Sequence, residues 1–131
     1  MPSHRRIHGL VPMLVLAALI FGPATVVLAD QHQHGASADV TLRGEIVDLA
    51  CYIGHGAKGP DHQKCAAKCA QMGQPLGLLT AEGKLYLLVA DHIDPAPFRK
   101  AATFAGAQAE VTGEAAEKSG VSALTVHGIK K

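Results

Sequence analysis

The chain has no tryptophan, and only three phenylalanines and two tyrosines among its 131 residues. Domains that hold single-stranded nucleic acid stack bases on aromatic side chains in a groove lined with lysine and arginine. Both parts are missing here, because 12 basic residues are set against 11 acidic ones, a formal net charge of +1. The composition argues against nucleic acid as a partner, and against electrostatic attachment to an anionic membrane. No Cys-x2-Cys occurs, which removes the thioredoxin-like pattern, and no Cys-x2-Cys-His, which removes covalent c-type haem. No serine stands in a nucleophile elbow, and no glycine-rich phosphate loop is present. What remains favours a binding protein over an enzyme.

What is present is concentrated. All three cysteines, Cys51, Cys65 and Cys69, fall within 19 residues, together with His55 and His62. Pro60 suits the first position of a short helix and Gly73, followed by Pro75, suits its left-handed stop. At roughly 100° per residue, His62, Cys65 and Cys69 lie within about 60° of one another on that helix. The segment before it, VDLACYI, is expected to run on extended from the preceding strand, followed by a glycine loop at Gly54, Gly56 and Gly59 that folds Cys51 and His55 over the same face. Met72 lies near that face as well and could serve as a thioether ligand, but reads more simply as a core methionine.

The beginning of the chain carries an address. Arg5 and Arg6 precede an apolar run, Leu10 to Leu28, that ends in Val27-Leu28-Ala29, small enough at the right places for signal cleavage after Ala29. Residues 1–29 are therefore expected to be a removed signal peptide, and the product a periplasmic or secreted protein with no stable membrane insertion. Loss of Arg5 and Arg6 takes the net charge to −1. Residues 30–38, DQHQHGASA, are expected to be a disordered, histidine-containing polar tail. A new terminus at Asp30-Gln31-His32 would offer an amine, two backbone nitrogens and an imidazole, the square-planar set that suits Cu(II) or Ni(II).

Residues 39–131 are expected to be one domain. Val40, Leu42 and Ile46 alternate with polar neighbours as a strand, and Gly44 suggests a bulge or sharp coil. PLGLL and KLYLLVA flank the turn AEG as a hairpin. Asp94 caps a helix with Pro95 just inside, and Gly106 ends it. Ala107 to Glu114 and Val121 to Ile129 alternate again, on either side of a turn at Lys118-Ser119-Gly120. The fold class is mainly β with two short helices: an OB-fold-like five-stranded barrel with a Cys/His-bearing helical insertion between strands 1 and 2. Over Asp39 to Lys131 the stretches GEIVDLACY, PLGLLTAEGKLYLL, DPAPFRKAATFAG and AQAEVTGEAAEK resemble small exported bacterial OB-fold proteins. The resemblance implies the fold; no functional residue comes with it.

Three readings of the cysteines follow. In the first, Cys51, His55, His62, Cys65 and Cys69 hold a transition metal, since thiolate and imidazole suit copper and zinc, and export with the His32 and His34 tail tilts the choice toward copper. The metal ion is then the partner, with another exported protein as the source or recipient of it. In the second, Cys51 pairs with Cys65 or Cys69 in a disulfide worth about 3 kcal/mol, and the domain is an interaction module without metal. Cys65 and Cys69 four apart on a helix stand about 5–6 Å apart at Cβ, too far to pair with each other. In the third, a thiol of lowered pKa does redox work. Glu45 and Asp48 do not read as a catalytic carboxylate pair, Asp91 and His92 read as a solvated loop, and His127 as a surface residue.

Overall fold

The computed structural model describes residues 38–131. The signal and the Asp30-Gln31-His32 site lie outside them. Five strands follow in order: β1 (Val40–Asp48), β2 (Leu76–Thr80), β3 (Leu85–Ala90), β4 (Gln108–Lys118) and β5 (Val121–Lys130). They close into a barrel in the order β1-β2-β3-β5-β4, antiparallel throughout except where β3 runs parallel to β5. This is the mainly-β, OB-like barrel expected from the pattern of elements.

β1 serves two neighbours. Its first half, Val40 to Glu45, pairs with β4, and its second half, Gly44 to Asp48, pairs with β2. Gly44 pairs with both Thr80 and Ala109, so it marks the point where the strand passes from one partner to the other. The bulge in the sheet lies elsewhere, between Thr112 and Gly113 of β4.

Inward-facing side chains fill the barrel: Ile46, Leu78, Val111, Leu124 and Val126 have no solvent exposure. Residues 45–49 are buried without alternation because both faces of β1 are covered at that end. Ile46 faces the barrel core, while Val47 packs outside it with Leu49 and Leu79, backed by Tyr52, Leu85 and Leu87.

Three α-helices occur among the described residues, one more than the sequence pattern suggests. α1 (Leu49–His55) and α2 (Gln63–Gln71) both fall in the insertion between β1 and β2, and a 3-10 turn, Pro60–His62, leads into α2. α3 (Ala96–Ala101) fills the gap between β3 and β4 and runs into a second 3-10 turn, Ala102–Phe104. α3 starts one residue later than the sequence suggests: Pro95 stands at its N-cap, without a side-chain cap, and Asp94 instead accepts the N–H of Ala96 at 3.0 Å just ahead of the helix. Ala66 of α2 and Ala101 of α3 belong to the barrel core, so the cysteine-bearing helix is part of the fold rather than an appendage.

Contact at Gly106 fixes where α2 sits. The residue has φ +75°, and a Cβ there would stand 2.5 Å from the Cα of Gln63, the first residue of α2. Its N–H donates to the carbonyl of Ile46, so the close approach ties α2 to β1 through one residue.

Candidate metal centre

The extended run expected through VDLACYI stops at Asp48. Its carboxylate accepts the backbone N–H of Cys51 at 2.9 Å, and the chain turns into α1. An aspartate N-cap satisfies one of the free N–H groups of a first helical turn, and Leu49 and Tyr52, three apart, bury one face against the outer cluster. α1 then ends at Gly56, whose N–H donates to the carbonyl of Tyr52. Gly54 lies within the helix, so the loop is shorter than expected. A local signal for α1 does exist: an Asp eight residues before a Gly, with apolar residues between at helical spacing.

α2 presents Cys65 and Cys69 one turn apart, and ends in a Schellman motif. Gly73 (φ +83°) donates to the carbonyl of Ala70 and Gln74 to that of Cys69, both at 3.0 Å. With α1 and α2 in place, the sulfurs of Cys51, Cys65 and Cys69 lie within 4.8 Å of one another. All three are free thiols; Cys65 is exposed, Cys51 and Cys69 half-buried. A structural disulfide is therefore not formed in this structure.

A second group overlaps the first. Asp48, Cys51 and His62 each place one donor atom within 4.8 Å of the others. Asp48 is wholly buried, and its second oxygen lies 3.1 Å from Nε2 of His62. Cys51 thus belongs to both groups. Sequence reasoning misses Asp48, because its nearest chemical counterpart along the chain is Glu45 and the two do not make a catalytic pair. Glu45 has a different task, accepting the N–H of Gly59 at 2.6 Å and holding the loop that precedes α2. His55, at the exposed end of α1, belongs to neither group.

The electrostatics follow from the burial. Burial opposes ionisation of Asp48, but the N–H of Cys51 and the ring of His62 outweigh it and hold the carboxyl below its usual range. Burial pushes the Cys51 thiol up to about 12, reinforced by its hydrogen bonds with Asp48 and Cys69 and by the negative charge of Asp48. Burial also raises Cys69, with the charge of Asp48 adding to it against an opposing hydrogen bond from Cys51. Raised in this way, Cys51 and Cys69 are poor nucleophiles at neutral pH and are not the lowered thiols that redox work needs.

The arrangement is a group of three cysteines beside an Asp/Cys/His group, and either could hold a metal ion. A tetrahedral zinc with sulfurs at about 2.3 Å keeps them roughly 3.8 Å apart, a spacing that lies inside the 4.8 Å within which the three sulfurs are gathered. Met72 is not in the core, as its position suggested; it is 63% exposed at the end of α2. His127 is exposed but not idle, with Nδ1 2.9 Å from Asp39 and Nε2 3.1 Å from Asp91. Among the described residues no helix is long and apolar enough to cross a membrane. Comparison of the chain with protein-family models, with curated proteins and with solved structures finds no match, so its reading rests on these residues and their geometry.

Proposed function

We propose that the chain is an exported metal-binding protein that carries or senses copper or zinc through Cys51, Cys65 and Cys69. The observation that carries this reading is the convergence of three sulfurs from two helices within 4.8 Å, with no disulfide among them. Three soft donors suit Cu(I) and Zn(II) and suit hard cations poorly. One edge of the group is open at Cys65, which fits an ion that is handed on rather than locked away.

His62 and Asp48 support the group from one side. A histidine that donates one ring N–H to a carboxylate is fixed in orientation, and its other nitrogen is left for a metal. The carboxylate also sets the start of α1 and hence the place of Cys51. An ion arriving here displaces thiol protons, so uptake is coupled to pH. The signal-like start of the chain supports export, and a copper site at Asp30-Gln31-His32 would belong to the same role.

Intact mass of the exported protein tests the reading, taken native and denatured, with and without thiol alkylation. The expected result is a chain beginning at Asp30 that carries a copper or zinc increment, with three alkylatable thiols once the ion is removed. A chain two hydrogens lighter, with one alkylatable thiol and no metal, would replace this reading with a disulfide-stabilised interaction module.

A further inference from the structure

Met72 is a large apolar side chain left in solvent at the end of a helix whose Ala66 and Ala70 pack on the barrel core. It has no packing role to explain it, and its position relates it to the thiols. Seven residues separate it from Cys65 and three from Cys69, so on an α-helix it falls within about 20° of Cys65 and 60° of Cys69. Its N–H still donates to the carbonyl of Lys68 at 3.1 Å, so the helical path continues up to this residue. The Schellman turn at Gly73 takes the chain away immediately after it. Helical side chains lean toward the helix N-terminus, and residues three apart stand about 5–6 Å apart at Cβ. On these helical directions the thioether can reach over the turn that carries Cys69.

The geometry points to Met72 as a further sulfur ligand on the open side of the Cys51/Cys65/Cys69 group, one that makes the site select Cu(I) over Zn(II). This rests on the reading of that group as a metal site and specifies its cargo. A thioether is a neutral, soft donor that suits Cu(I), whereas zinc takes thiolate, imidazole and carboxylate. A neutral fourth sulfur also adds no negative charge beside the buried carboxylate of Asp48. Because Met72 is flexible and exposed, it can swing onto the ion and off again, as a handover site requires.

The test is competition titration of the reduced full chain with a chromophoric Cu(I) chelator and, separately, with a zinc chelator, comparing wild type with Met72→Leu. The leucine keeps the bulk in an exposed position and leaves the fold intact. The expected result is a loss of about tenfold in Cu(I) affinity with zinc affinity unchanged. A second readout is the copper-edge absorption spectrum of the selenomethionine-labelled chain, which should gain a selenium neighbour that the labelled Met72→Leu chain lacks. Wild type that binds Cu(I) as tightly as Met72→Leu, with no selenium neighbour, overturns the role of Met72 and leaves the thiol site standing. Wild type that binds neither ion overturns the site, and this inference with it.

Discussion

The carboxylate of Asp48 and Nε2 of His62 lie 3.1 Å apart, with Asp48 wholly buried. The other carboxylate oxygen holds the N–H of Cys51. One side chain therefore closes β1, starts α1, positions a thiol and orients an imidazole 14 residues further on.

Replacing Asp48 with alanine removes an N-cap and leaves His62 without its partner. The expected cost is about 2–4 kcal/mol in urea unfolding. Asp48→Asn retains a good capping side chain and is expected to lose less. The folded carboxyl titrates below its usual value, so its contribution is present above about pH 4 and is lost as the pH falls further. Wild type should thus lose more stability in acid than Asp48→Asn does. Equal acid sensitivity of the two would show that the charge at this position is not used.

At alkaline pH the thiols act in the opposite direction. Cys51 is raised to about 12 in the folded chain, so the unfolded chain deprotonates first. The stability that this group contributes is present below about pH 8.5 and is lost as the pH rises toward 12. Under reducing conditions the metal-free protein should unfold at progressively lower urea above about pH 9, and Cys51→Ser should flatten that slope. Metal uptake at about pH 7 should release at least about two protons per ion, read with a pH indicator in weak buffer.

Gly106 links the fold to the site. A side chain here combines a left-handed backbone with a collision against Gln63. Gly106→Ala is expected to cost about 2–4 kcal/mol. Because α2 carries two of the three thiols, the same change should weaken metal binding in protein that remains folded. Unaltered stability and affinity would mean that the position of α2 is set elsewhere.

The two histidines of the insertion should behave differently. His62→Ala is expected to lower metal affinity about tenfold through its place beside Cys51. His55→Ala, at the exposed end of α1, should leave it unchanged. Chelator competition on both variants checks this, and a larger loss from His55 would mean that the loop closes over the ion.

The barrel is legible in the sequence because alternation in β1, β4 and β5 and the AEG turn between β2 and β3 are local signals, each set within a few residues. Pro60, Gly73 and Asp94 likewise lie near helix ends: Gly73 ends α2 as expected, Pro60 opens the 3-10 turn that leads into α2, and Asp94 precedes Pro95, the N-cap of α3. The Asp48-to-Gly56 signal for α1 is masked because Val47, Leu49 and Tyr52 look like a continuing apolar strand. Only burial of both faces of β1, a tertiary fact, makes that run apolar. The clustering of the cysteines in sequence points to the site, but the pairing of Asp48 with His62 is a long-range contact that no spacing encodes. Met72 departs from its expected place for a similar reason: helical periodicity gives its face, but not that α2 ends with that face in solvent.

The most direct test of the central claim is X-ray absorption at the zinc edge of the zinc-loaded full chain. Three sulfur neighbours at about 2.3 Å would show the thiolates of Cys51, Cys65 and Cys69 on one ion. A shell of nitrogen and oxygen alone, as adventitious binding to surface histidines and carboxylates would give, would contradict it.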